Sequence, residues 1–260
     1  MTSGTKSYIR ALLQRGIRED NRKMDEYRKI TVEYGVSAKS AEGSARVKIG
    51  ETEVVAGVKM EVGDPFPDKP DEGTIMVNAE LLPLSSPEFE SGPPDVESIE
   101  LSRVVDRGIR ESKTIDFKKL CIKPGEKVWL LFIDIYPIND DGNLFDAAAL
   151  AAFAALRDAK FPAYDEETGK VKYSEKTDKP VPLECMPMAC TVLKIGDKFI
   201  IDPSTREEEA ADARLTLVST DHTNLCAMQK GGTHPFVSED INHMAELSLR
   251  KAEELRKLFK

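Results

Sequence analysis

At 260 residues with a formal net charge of −9, the chain can bury a substantial core, as one large domain or two tightly joined halves. The excess of carboxylates excludes binding of nucleic acid through bulk charge, so any polyanion must find a local basic patch. Four scattered cysteines (Cys121, Cys185, Cys190, Cys226) form no C-x-x-C pair, and His222, His234 and His243 complete no zinc pattern, which predicts buried reduced thiols and no metal site.

The N-terminal segment Ser7–Arg15 predicts a short helix with Ile9, Leu12 and Leu13 on one side, followed by a polar, turn-rich loop from Gly16 to Arg22. Strands are expected at Lys29–Tyr34, Ser44–Ile49 and Thr52–Glu61, the last two joined by a tight turn at Gly50-Glu51, and at Thr74–Leu82. Prolines between Gly63 and Asp71, and again between Ser85 and Pro94, mark loops. Val96–Ser112 predicts an amphipathic helix with Leu101, Val104, Val105 and Gly108 on one face. Arg103, Arg107 and Arg110 fall on the other, within about 60° of one another at 100° per residue.

Next comes an apolar strand, VWLLFIDIYPI, from Val128, too rich in large and β-branched residues to face water on both sides. It ends at Asp140-Asp141-Gly142, and an alanine-rich helix starts at Asn143-Leu144-Phe145-Asp146. A strand, a glycine turn and a helix N-terminus make a natural anion site, because unpaired N–H groups and the positive end of the helix dipole face the gap. Here Asn143 is expected as N-cap and Asp146 as the N3 carboxylate, so an incoming phosphate would meet Asp146. An ordinary capped helix and a closed phosphate site both fit those residues. Phe161–Pro182 is expected as an extended polar loop with a hairpin near Glu167-Thr168-Gly169. Strands resume at Met188–Lys194, Phe199–Ile201, Ala213–Ser219 and Leu225–Gln229. An amphipathic helix closes the chain from Ser238, its N-cap, to Phe259, with Ile241, Ala245, Leu249 and Ala252 at core spacing. Strands then helices, twice over, give an α+β fold of two similar strand-then-helix halves. The expected division is an N-terminal helix and arm (1–28), a first half (29–165), a connecting loop (166–185) and a second half (186–260). No apolar run is long enough to span a membrane and no signal peptide is visible, so a cytoplasmic location is expected; the 32% of charged residues would suit a thermophile.

No Ser-His-Asp set, Walker loop or G-x-G-x-x-G fingerprint appears. Gly231-Gly232 is read as a turn in preference to a phosphate cradle. The cluster Glu207, Glu208, Glu209, Asp212 could hold Mg²⁺, but Arg206 and Arg214 flank it, which favours ion pairing. The Arg103, Arg107, Arg110 stripe is either a solvated face or a phosphate contact. Arginine favours bidentate phosphate binding, and Glu111 is the only carboxylate placed at i+4 from one of the three.

Glu19-Asp20-Asn21-Arg22, Gly43-Ser44-Ala45, Gly50-Glu51-Thr52-Glu53-Val54 and Ser102-Arg103-Val104-Val105-Asp106-Arg107-Gly108-Ile109-Arg110 together resemble RNase PH-type proteins, with similarity from about Gly16 to Lys257. Within that family the chain resembles the RNase PH-like subunit of the archaeal exosome that lacks its own active site. The resemblance implies an RNase PH-type fold (ribosomal protein S5 domain 2-like). It places Asn143, Leu144, Phe145 and Asp146 on the family's phosphate loop, where no hydroxyl or cation remains. It places Glu208 and Arg214 on the two metal-binding aspartates, so a carboxylate has become a cation. Asn21 stands where the opening motif has glycine.

By the same resemblance, this chain would be a non-catalytic subunit with no catalytic residue and no cofactor of its own. Arg103, Arg107 and Arg110 would hold RNA, and phosphate and Mg²⁺ would bind only in the partner's site. The expected partners are a catalytic RNase PH-like subunit, in three heterodimers forming a hexameric ring, RNA-binding cap proteins and single-stranded RNA. The alternative is an autonomous Mg²⁺-dependent phosphorolytic 3′-to-5′ exoribonuclease using Glu208 with Asp212.

Overall fold

The computed structural model describes residues 3–259. In chain order the elements are α1 (Ser3–Gln14), β1 (Ile30–Tyr34), β2 (Gly43–Ile49), β3 (Thr52–Gly63), β4 (Thr74–Ala79), α2 (Val96–Glu111), β5 (Cys121–Lys123), β6 (Lys127–Asn139), α3 (Leu144–Asp158), β7 (Lys160–Asp165), β8 (Lys170–Pro180), β9 (Met188–Ile195), β10 (Lys198–Ile201), α4 (Thr205–Ala210), β11 (Ala213–Ser219), β12 (Leu225–Gly231) and α5 (Ser238–Arg256). The first sheet runs β1-β2-β3-β6-β4, with β5 also on β6, and the second runs β10-β9-β11-β12. The pairing of β4 with β6 is parallel because α2 lies in the connection between them; the other pairings are antiparallel and several close through short turns. This is the expected α+β arrangement of two strand-and-helix halves.

Period-two patterning decides which face of each strand is buried. Val54, Ala56, Val58 and Met60 of β3 and Leu131, Ile133 and Ile135 of β6 point into the core, while their sequence neighbours reach the other face. The helix that covers them is α3, which packs on β2, β3 and β6 and also on β9 of the second sheet. Contact on two sides explains its composition: ten of its fifteen residues are buried, and alanines let both sheets approach. At the closest approach a Cβ on Gly43 would lie 2.4 Å from the Ala155 carbonyl oxygen and the Ala159 Cα. Only glycine fits there.

The second half is covered by α5, whose buried face is Met244, Leu247, Ser248, Lys251, Ala252 and Leu255. This is a correction to the expected face: Ala252 is buried, but Ile241 is exposed and Ala245 and Leu249 lie at the edge. The sequence pattern misled because Lys251 and Arg256 are buried with satisfied heads. Lys251 bonds to Glu254, and Arg256 donates to the Met186 and Ser219 carbonyls. Two boundaries also shift. The arm's helix α1 packs on α4, and its Ile9 and Leu13 join Leu193, Ile195, Ile200 and Ala210 of the second half. The supposed connecting loop 166–185 is largely β8, paired with β7 from Asp165↔Lys170 to Lys160↔Pro180. Its charged residues disguised it, since both faces of this strand are mostly exposed. Cys190 is buried as expected, whereas Cys121, Cys185 and Cys226 are half-buried; all four are free thiols.

Candidate functional site

The turn between β6 and α3 brings the two halves together. Gly142, at φ 85°, and Asn143, at φ 64°, both take the left-handed conformation that reverses the chain into the helix. A Cβ on Gly142 would lie 2.5 Å from the Pro203 carbonyl oxygen, so the turn touches the β10–α4 loop directly. Asn143 is therefore not a side-chain N-cap, contrary to expectation: its amide donates to Asp146 Oδ2 (3.1 Å) and Asp202 Oδ1 (2.9 Å). Its own backbone N–H, the donor that would face an anion, donates to Glu208 Oε1 at 2.9 Å.

Asp146 also departs from its expected role. It is fully buried, accepts from the Tyr27 hydroxyl at 2.7 Å and does not line the cleft outside the turn. Burial pushes its carboxyl up to about 7; bonds from Tyr27, Thr191 and Asn143 pull the other way, and the Asp202 charge adds to the rise. The same burial and the Asp146 charge raise the Tyr27 hydroxyl well above its ordinary value. The carboxyl that closes the helix end is thus Glu208, from the other half of the molecule.

Beneath this turn lies a network that sequence reasoning did not find. Asp202, at φ 48° and fully buried, accepts from Arg22 Nη1 (2.7 Å), from Arg28 through its backbone N–H (2.7 Å), Nε (2.9 Å) and Nη2 (2.8 Å), and from Asn143. Burial raises its carboxyl, but the hydrogen bonds and charge of Arg28 outweigh that and hold it below the usual range. Arg28 also donates to the carbonyls of Asp141 and Gly142, tying both halves to the arm. The fully buried Arg18 donates to Glu207 at 2.9 and 2.6 Å and to the carbonyls of Ile201 and Asp202. Asn21 adopts φ 63°, the left-handed conformation that the motif's glycine would take freely and asparagine tolerates. The one available signal was the run of arginines in the arm of an acidic protein.

Outside the turn a cleft of about 350 Å³ is lined by Leu144, Phe145, Glu208 and Arg214, so four of the predicted positions do converge. Its electrostatics oppose a phosphate. Glu88, Glu97, Glu100, Asp140, Glu208, Glu209 and Asp212 line it, and among the described lining residues Arg214 is the one cation. Burial pushes Glu208 up to about 8, against the lowering effect of the Asn143 N–H, and burial with neighbouring carboxylates raises Glu97 and Asp140. Arg214 lies over the Phe145 ring at 4.0 Å and pairs with Glu100. Neither phosphate nor Mg²⁺ fits. The Asn143 N–H is taken, burial disfavours the charged form of Glu208, the Arg214 guanidinium lies in the same cleft, and Asp212 is turned to Arg10 and the Gly196 N–H. In the same region Arg206 pairs with Glu19, while Glu207 is a buried partner of Arg18.

The arginine stripe lies along α2, which Asp95 caps by accepting from the Ser98 N–H at 2.8 Å. Leu101, Val104, Val105, Gly108 and Ile109 are buried, and the opposite face is open. Arg103 is exposed and has no ion-pair partner among the described residues. Arg107 is exposed and donates to Gln229 Oε1 at 2.5 Å. Arg110 differs from expectation: it pairs with Asp106, one turn before it, and donates to the Ile75 carbonyl at 2.9 Å. The carboxylate precedes its arginine in this pair, so the positions four residues after each arginine do not reveal it. Among the described residues no helix is long and apolar enough to cross a membrane.

Residues 26–162 match the 3′ exoribonuclease family, domain 1, and residues 185–251 match the same family's domain 2. This chain belongs to that family. It is 47% identical over 251 residues to the exosome complex component Rrp42 of Methanothermobacter thermautotrophicus, covering 96% of this chain and 92% of that protein. Among solved structures, a chain of the Archaeoglobus fulgidus exosome with RNA bound to the active site superposes with a TM-score of 0.91 at 46% identity, covering 98% of both chains. A chain of an archaeal exosome core superposes at 0.86 with 43% identity, covering 98% of this chain and 96% of that one.

Proposed function

We propose that this chain is the non-catalytic, RNA-contacting structural subunit of an archaeal exosome, a cytoplasmic phosphorolytic 3′-to-5′ exoribonuclease ring for RNA degradation. It completes the active site of a catalytic RNase PH-like partner. The observation that carries the reading is the bond from the Asn143 N–H to Glu208, with Arg214 lying over Phe145 beside it. The chain's own groups fill the places where phosphate and metal would bind. The likeness to exosome chains over nearly the whole length supports the assembly. In this reading three heterodimers form a hexameric ring under RNA-binding cap proteins. Phosphate and Mg²⁺ bind in the partner, and the exposed Arg103 and Arg107, with Arg110 beside them, face single-stranded RNA on its way there.

The test is phosphate-dependent release of nucleoside diphosphates from single-stranded RNA, by the chain alone, by the catalytic partner alone and by the mixture. The mixture should be active and the chain alone silent. Turnover by the purified chain at the rate of the mixture would overturn the proposal and favour the autonomous enzyme. A divalent-metal site in the chain that is lost in Glu208→Gln would argue the same way.

A further inference from the structure

One run of side chains joins the arginine stripe to the closed cleft. Arg107 Nη2 donates to Gln229 Oε1 at 2.5 Å, and Gln229 Nε2 donates to Glu100 Oε1 at 2.9 Å. The second Glu100 oxygen accepts from Arg214 Nη2 at 2.5 Å. Glu100 and Arg107 lie seven residues apart on α2 and so on one face, while Gln229 reaches them from β12. Each link near the surface is weak by itself, because an exposed contact returns little more than the rotamer freedom it removes.

The far end is what holds the run. Arg214 lies over the Phe145 ring at 4.0 Å and is the cross-strand neighbour of Gly231. A Cβ at position 231 would come within 2.6 Å of Arg214 Cζ and Nε. The first glycine of the Gly231-Gly232 pair therefore leaves the space in which the guanidinium lies, beyond any role in a turn. The guanidinium of Arg107 spends one N–H on Gln229 and keeps its other donors for a ligand.

We infer that Arg214 is a positioning residue for RNA: through Glu100 and Gln229 it fixes the orientation in which the Arg107 guanidinium meets a phosphodiester of single-stranded RNA. A position that disables metal binding thus serves the grip on the substrate. The inference rests on the proposed role of Arg107 as an RNA contact.

The experiment uses the complex reconstituted from this chain and its catalytic partner, with assembly checked by gel filtration. Binding of a fluorescent single-stranded oligoribonucleotide is measured by anisotropy across a salt series. Arg107→Ala should bind about tenfold more weakly and lower the salt slope by about 0.7, the value for one phosphate contact on a single strand. Arg214→Lys and Gln229→Ala leave the net charge unchanged and should each weaken binding about threefold; combined with Arg107→Ala, neither should weaken it further. Gln229 is a half-exposed surface residue, so its variant tests the run without disturbing the core. If Arg107→Ala weakens binding while Gln229→Ala and Arg214→Lys bind as the unmodified chain does, or their effects multiply with that of Arg107→Ala, the positioning role is wrong and the grip stands. If Arg107→Ala changes neither affinity nor salt slope, the grip is wrong and the positioning role falls with it.

Discussion

Arg18, Arg22 and Arg28 lie where the two halves meet, with side chains 0%, 10% and 11% exposed, whereas Arg103 and Arg107 of α2 face solvent and Arg110 is held at that helix's edge. The residue type is the same and the consequence is opposite. At the joint, water is excluded, so every donor must find a carboxylate or carbonyl, and Asp202, Glu207 and the carbonyls of the β6–α3 turn supply them. On α2, Arg103 and Arg107 are exposed and pair with no carboxylate among the described residues, so their positive charge is not neutralised within the fold. The first set is spent on the fold; the second is available for binding. The protein's net negative charge sharpens this division, because a polyanion can approach an acidic protein only where carboxylates have been kept away or engaged.

The comparison is broken most forcefully at its buried end. Asp202→Ala removes the buried acceptor shared by Arg22, Arg28 and Asn143 and leaves the two guanidinium groups only their more exposed carboxylate partners, Asp20 and Asp141; chemical denaturation should show a loss of about 3 kcal/mol. A change below about 1 kcal/mol would mean that the network contributes little.

Asp146→Asn tests the same joint through pH. The folded carboxyl titrates at about 7 against an ordinary value of 3.8, so between those values the folded state binds a proton that the unfolded state has released. Stability therefore falls as pH rises from about 4 to about 7, by at most roughly 4 kcal/mol, and levels off above. Asparagine can accept the same bonds without the ionisation, so the variant should gain on the unmodified chain as pH rises and exceed it most at pH 8. A pH-independent difference in denaturation midpoints would contradict this.

At the exposed end the effects move from stability to binding. Arg107→Glu should weaken RNA binding by the assembled complex by more than about tenfold, while changing the stability of the isolated chain by less than about 0.5 kcal/mol, as expected for a solvated position. Arg110→Ala should be the mildest. It loses a half-exposed pair with Asp106, at most about 1 kcal/mol of stability, and less RNA affinity than Arg107→Ala because Asp106 and the Ile75 carbonyl already hold its guanidinium.

Much of this was legible in the chain itself. Alternation of Val54, Ala56, Val58 and Met60, the helical stripe of α2 and the alanine run of α3 each carry their geometry in their period, because the core rewards whichever face is apolar. β8 was not legible because a strand exposed on both faces has no apolar side to reveal it. At the start of α3 the bond partner differs from the expected one: the Asn143 N–H meets Glu208, not Asp146. Asp146 is three residues from Asn143, as a capping carboxylate would be, but Glu208 lies 65 residues away and meets the same N–H only through the packing of α4 against the turn.

By itself the sequence determined the α+β class, the arginine stripe and the absence of a hydroxyl or cation at Asn143–Asp146, since each is a matter of residue type at local spacing. Tertiary structure decided which groups those residues meet. Whether Asp146 faces the helix end or sits buried against Tyr27, and whether Arg214 faces water or lies between Glu100 and the Phe145 ring, depend on residues far apart in the chain. Side-chain charge is fixed by sequence, but what a charge does is fixed by its distance from the next one and by the water left between them.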